Sequence, residues 1–177
     1  MAGLDALKPS AKPFDWIGKG IYFWENDPDR ALEWAKWKQA KGDYDKPIVI
    51  GAVIDLGNCL DLTTRKDLEL VREAWSSFAE LQKEAKLPMP KNRSARNDPN
   101  EDLALRFLDC AVINHLHDLL ENATGRARPF DSVRGMFPEG GKLYDGCAFH
   151  ERTHVQIAVL NGRNIKGVFL PPRHQIP

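Results

Sequence analysis

The chain carries no net formal charge, because 25 lysines and arginines balance 25 aspartates and glutamates. That balance excludes a global electrostatic pull toward nucleic acid or an anionic membrane, so any such contact needs a local patch. Cysteine is scarce. Cys59, Cys110 and Cys147 are odd in number, widely spaced and form no C-x-x-C pair. A disulfide framework and a zinc cluster are therefore not expected, no metal is anticipated, and a reducing compartment is the default. Cys59 and Cys110 sit in apolar stretches and read as small buried hydrophobes. No apolar run reaches membrane-spanning length, and the N-terminus lacks the basic and apolar regions of a signal peptide. The expectation is a soluble, cytoplasmic protein with no membrane contact. Internal repeats and low-complexity tracts are also missing.

Aromatic residues, by contrast, are concentrated. Trp16, Trp24, Trp34 and Trp37 crowd the N-terminal part of a 177-residue chain, a length that fits one domain with a sizeable core. Such crowding is first of all a core signal. Residues 1–14 read as a lead-in broken by Pro9 and Pro13, and a first strand is expected from about Ile17 to Trp24. Asp27-Pro28 then makes a helix start: the carboxylate accepts from free amides, and the proline lacks a donor that would be orphaned anyway. That helix should run to about Ala40, with Ala31, Trp34, Ala35 and Lys38 on one face, and end at Gly42. The apolar run Ile48 to Ile54 suits a strand buried on both faces, and Leu60 to Leu62 extends or follows it after a Gly57-Asn58 turn.

A helical section follows. Thr64 and Asp67 open a helix with Leu68, Val71, Trp75, Phe78 and Leu81 at helical spacing. A polar linker covers roughly Leu87 to Asp98, and Asp98-Pro99-Asn100-Glu101 starts a second helix with Ala104, Phe107, Leu108, Ala111, Val112 and Leu119 inward. His115 follows that stripe as a satisfied core histidine, His117 falls off it into solvent, and Gly125 ends the section. Residues 126–149 read as loop with short strands. Thr153 to Leu160 and Asn164 to Leu170 are β-prone runs joined by the hairpin signal Asn161-Gly162-Arg163.

The run Gly18-Lys19-Gly20-Ile21-Tyr22-Phe23, with Glu25 and then Ala31 in the next helix, carries the chemistry. The two glycines let a backbone pass close to a flat ligand, and the short β-prone run presents a tyrosine ring on one face. With Gln156-Ile157-Ala158-Val159, Asn161 and the run Ile165 to Pro171, it resembles the poly(ADP-ribose) polymerase-like branch of the ADP-ribosyltransferase superfamily, the branch with a His-Tyr-Glu triad. The resemblance covers about a quarter of the chain. It implies an α+β, single-domain, split and twisted β core over 1–177, with a helical insertion from about 64 to 124.

It further implies NAD as co-substrate, with the cofactor-binding residues Gly18, Lys19, Gly20, Ile21, Tyr22, Phe23, Ala31, Trp34 and Arg134. Tyr22 would stack on nicotinamide and Trp34 would supply a second ring. Gln156 stands where the family usually has its catalytic glutamate; it keeps a hydrogen bond to the ribose but adds no charge, which points to transfer of a single unit. His154 shares a strand face with Gln156 and is a candidate proton acceptor. Glu151 has the opposite parity. The family's first motif, a His-Gly pair, has no counterpart before Tyr22, and Leu7-Lys8-Pro9-Ser10 resembles the segment that follows it.

Arg134 is placed to hold a phosphate, of NAD or of a nucleic acid, or else to cap a turn. Lys91, Arg93, Arg96, Arg126 and Arg128 form either a basic rim or a solvated linker. The expected function is a mono-ADP-ribosyltransferase acting on a protein or nucleic-acid acceptor. By analogy with toxins and anti-phage effectors of the superfamily, it would have an antitoxin or chaperone partner. The rivals are a non-catalytic NAD- or ADP-ribose-binding module, an NAD glycohydrolase, and an enzyme moving a 2′-phosphate from RNA to NAD.

Overall fold

A computed structural model describes residues 7–43, 45–95, 102–123 and 128–172. The elements run β1 (Ile21–Trp24), α1 (Pro28–Ala40), β2 (Gly51–Ile54), β3 (Cys59–Asp61), α2 (Arg65–Glu84), α3 (Phe107–Asn122), β4 (Ser132–Phe137), β5 (His154–Val159) and β6 (Ile165–Phe169). The class is α+β. Four strands form one sheet in the order β1-β5-β4-β3, and β2 and β6 form a second. Every ladder is antiparallel except β3–β4. A parallel pair needs a long crossover. Here α2 and α3 supply it, so the helical section lies between two hydrogen-bonded neighbours of one sheet.

The larger sheet is a middle layer, and alternation along β5 explains why. Ala158 points to a core in which Ile17, Leu60 and Val133 meet Ala74 of α2 and Val112, Ile113 and Leu116 of α3. Ile157 and Val159 point the other way, where Ile165, Ala52 and Ile54 of the smaller sheet join Ile21 and Phe23. Side chains on a strand alternate with period two, so one strand can feed two cores only when both faces are covered.

Local rules explain the helix starts. Asp27 accepts from the Arg30 amide and Pro28 begins α1; Thr64 accepts from the Asp67 amide and begins α2. α3 starts later than its expected signal, at Phe107, without a side-chain cap. Asp98-Pro99-Asn100-Glu101 lies outside the described residues, as do Arg96, Gly125 and Arg126.

Several expectations are corrected. β1 begins at Ile21 rather than Ile17, which is fully buried in the segment ahead of the strand. The run Ile48 to Ile54 is not buried on both faces: Ile48 is 67% and Val53 58% exposed, because β2 belongs to an outer two-stranded sheet that packs on one side only. On α2 the inward side is Leu70, Val71, Ala74 and Phe78, while Leu68, Trp75 and Leu81 are exposed. On α3 it is Cys110, Val112, Ile113 and Leu116, with Leu119 exposed. β5 and β6 do not form a hairpin. A 3-10 turn at Gly162–Asn164 sends the chain from one sheet into the other; Asn161 caps that turn and bonds Asp131, and the Asn164 amide donates to the Asp55 carbonyl.

The histidines of α3 divide differently from expectation. His115 is satisfied by Ser77, 3.0 Å away, beside the Phe78 ring. His117 is not in solvent; it is 2% exposed, neither ring nitrogen has a hydrogen-bond partner among the described residues, and its ring meets Phe130 edge-on. Burial, assisted by Lys19, outweighs Glu121 and Asp118 and brings its pKa down to about 4. The folded protein therefore keeps His117 neutral while the unfolded chain takes a proton as pH falls through 6.5. The His117 contribution to stability should be fully present above pH 6.5 and fall by about 3 kcal/mol between there and pH 4. Urea unfolding across that range should show the slope, and His117→Leu should make it shallower.

Candidate functional site

β1 and β5 bring the two ends of the motif together. Tyr22 pairs with Ala158 and Trp24 with Gln156. Gly135 and Phe137 of β4 oppose Gln156 and His154 on the other side. By strand parity Tyr22, Trp24, His154, Gln156 and Phe137 share one face. Ile21 and Phe23 are on the opposite face, packed with Ile157.

The glycines serve packing. Gly18 has φ +82°, and a Cβ there would lie 2.8 Å from both Asn114 Oδ1 and Ile113 Cγ2 of α3. Only glycine takes that conformation so close to a helix. Gly20 bonds Ser10 through both its backbone groups. The Lys19 amide donates to Asn114 Oδ1, and its ammonium lies 3.6 Å from Glu121.

Tyr22 is anchored. Its hydroxyl donates to the Gly18 carbonyl at 2.6 Å and accepts from the Ile17 amide at 3.0 Å. The half-buried ring packs against the core, and burial holds the phenol neutral by raising its pKa. The ring is thus fixed by its own strand entrance.

Around Gln156 lies a polar cluster. The Gln156 Nε2 is 3.0 Å from His154 Nε2, and His154 Nδ1 is 2.7 Å from the Arg152 carbonyl oxygen. The His154 side chain has no exposed surface, and burial lowers its pKa below the usual histidine value. Neither ring nitrogen can take a proton from an incoming group without breaking one of these bonds. Glu139 Oε2 sits 3.7 Å from Nδ1 and is clamped at 2.6 Å by Arg30 of α1. Trp16 and Phe137 flank the imidazole, with Arg106 over both rings.

No role at the site followed from the sequence for Trp24, Arg30 or Glu139. Trp24 could have been found, since it has the parity of Tyr22 and directly opposes Gln156. Arg30 and Glu139 meet only through the tertiary fold. The Trp24 and Trp34 rings lie 5.7 Å apart, with Lys38 over Trp34. Buried Trp24 Nε1 and Arg30 Nε have no hydrogen-bond partner among the described residues.

Arg134 does not join this group. It lies in β4, not in a loop, and its parity puts it opposite Gly135. Its guanidinium is held by Glu25 at 2.7 Å and by Asp61 at 3.2 Å. Those carboxylates raise its pKa and neutralise the charge a phosphate would need. The basic rim is also partly engaged, since Arg93 stacks on Phe107 and Arg128 pairs with Asp131. Ala31 is on half-buried α1 surface, and Glu151 precedes β5.

A cleft of about 430 Å³ is lined by residues including Cys59, Asp67, Leu116 and Phe130, and another of about 460 Å³ by Pro90 to Arg93 and Phe107. Neither includes Tyr22 or Gln156. Among the described residues no group of three or more His, Cys, Asp or Glu could hold a metal ion, and no helix is long and apolar enough to cross a membrane. No family model, curated protein or solved structure matches the chain.

The anchoring of Tyr22 has a measurable cost when removed. Tyr22→Phe keeps the ring but strands the Ile17 amide and Gly18 carbonyl, and should destabilise by about 1–3 kcal/mol. Tyr22→Ala also empties ring volume and should cost about 3–5 kcal/mol. Urea denaturation of both variants checks the order; equal midpoints for Tyr22→Phe and the parent protein would refute the anchor.

Proposed function

We propose that the chain is an NAD-dependent mono-ADP-ribosyltransferase with an ADP-ribosyltransferase-like split β core. One observation carries the reading: the strand with the Gly18-to-Phe23 run and the strand with Gln156 are hydrogen-bonded neighbours, with Tyr22 and Gln156 on the same face. The division of six strands into sheets of four and two, with β5 and β6 passing from one to the other, agrees with the split core. Trp24 Nε1 and Arg30 Nε, which have no hydrogen-bond partner among the described residues, suit a ligand rich in acceptor oxygens.

On this reading the Tyr22 ring packs against nicotinamide while its hydroxyl stays on the Ile17–Gly18 backbone. Gln156 accepts from a hydroxyl of the adjacent ribose. The bond from ribose C1′ to nicotinamide nitrogen breaks, and its electron pair neutralises the departing pyridinium. Positive charge develops on the ribose, the acceptor bonds to C1′, and the acceptor's proton passes to solvent. Catalysis rests on orientation and on dipoles facing the developing charge. The acceptor is a protein or nucleic acid, and an antitoxin or chaperone partner belongs to the same reading.

A second reading, an NAD- or ADP-ribose-binding module, is favoured by a specific feature. The group at 156 is a neutral amide, and the nearby Glu139 carboxylate is bound by Arg30. Incubation with labelled NAD separates the two. A transferase releases nicotinamide and labels a macromolecule. Binding without release marks the module, and release of free ADP-ribose alone marks a hydrolase. Gln156→Glu should raise nicotinamide release about tenfold, equivalent to about 1.4 kcal/mol at the barrier; an unchanged rate would remove Gln156 from the reacting centre.

A further inference from the structure

We propose that His154 is a positioning residue that fixes the Gln156 amide with its carbonyl oxygen toward the ligand, so that the site selects a hydrogen-bond donor such as a ribose hydroxyl. The inference rests on the ADP-ribosyltransferase reading for its ligand, but its hydrogen-bond logic stands on the structure. The Arg152 carbonyl can only accept, so His154 Nδ1, 2.7 Å away, carries the ring proton. In a neutral imidazole Nε2 is then an acceptor. Only the NH2 of Gln156 can meet it, at 3.0 Å. The amide is planar, so Oε1 turns away from the histidine, and it makes no hydrogen bond among the described residues while Gln156 remains half-buried. A backbone carbonyl thus sets, two bonds away, which end of the amide a ligand meets.

The surroundings keep the ring in that state. Its side chain has no exposed surface, and Trp16 and Phe137 flank it. The charged groups facing it are Glu139 beyond β4, Arg30 of α1 and Asp27 at the cap of that helix, with Arg106 beyond the two aromatic rings. Burial, joined by Arg30, opposes a second proton on the ring and outweighs the Arg152 carbonyl, Glu139 and Asp27, which favour one. Protonation would turn Nε2 into a donor. The amide would then have to rotate and show its NH2 to the ligand, which a hydroxyl would meet less well and a carbonyl better. A glutamate at 156 cannot donate at all, so it would draw a second proton onto His154.

Imidazole nitrogen NMR of the 15N-labelled protein tests the relay without any ligand. At pH 7.5 His154 should be the Nδ1–H tautomer, and in Gln156→Glu its pKa should rise by at least one pH unit. An Nε2–H tautomer, or an unchanged pKa in Gln156→Glu, overturns the inference. Calorimetric titration with ADP-ribose supplies the ligand arm. Affinity should fall at least fivefold as pH drops through the His154 pKa measured by NMR, and His154→Phe should weaken binding at pH 7.5 and abolish that dependence. Binding that is insensitive to His154 protonation overturns the inference. If neither NAD nor ADP-ribose binds at any pH, the proposed function fails, and the NMR result alone decides the relay.

Discussion

The pairing of β1 with β5 is the constraint on which the rest depends. β5 is hydrogen-bonded on both sides and contributes to both cores, so its register sets the direction of every side chain in its neighbours. A slip of one residue would carry Ala158 from the helical side to the side of the smaller sheet, and Gln156 with it. Apolar residues of unequal size make that slip costly. Ala158 is small where Gly20 comes close, a Cβ on that glycine falling 3.0 Å from the Ala158 methyl; Ile157 and Val159 are bulky where the second sheet must be met.

Helix α3 is the other organiser. Its Asn114 takes the Lys19 amide, its Ile113 leaves room for no Cβ at Gly18, and Asn114 Nδ2 reaches Cys110 Sγ. The helical section is therefore more than an insertion between strands. It forms the wall against which the Gly18-Gly20 segment is shaped, and through the Ile17–Gly18 backbone it fixes the Tyr22 hydroxyl.

The sequence revealed those parts of the fold that depend on near neighbours. Asp27-Pro28 and Thr64-x-x-Asp67 mark helix starts because capping is local, and the β-prone stretches near 156 and 166 are strands because alternation is local. What escaped it depends on distant partners. The apolar residues of Ile48 to Ile54 do not say how many layers cover them, and Asn161-Gly162-Arg163 has hairpin chemistry although its strands separate. His117 has an off-stripe position, yet Phe130 from beyond the helix closes over it. At the candidate site the shared face of His154 and Gln156 was legible from strand parity, whereas Tyr22 and Gln156 were named by the resemblance. The Arg30–Glu139 clamp and the pinning of Arg134 by Glu25 and Asp61 needed the tertiary structure.

The order of strands has a consequence for synthesis. β1 is the first strand made, whereas its partner β5 follows the whole α2–α3 crossover. Contacts so remote along the chain form late and slow the approach to the native state. A nascent chain that lacks β5 can display the Gly18-to-Phe23 segment but has no strand to complete the face opposite it. Whatever this surface does, it does only once β5 has been made, which builds a delay into the topology itself.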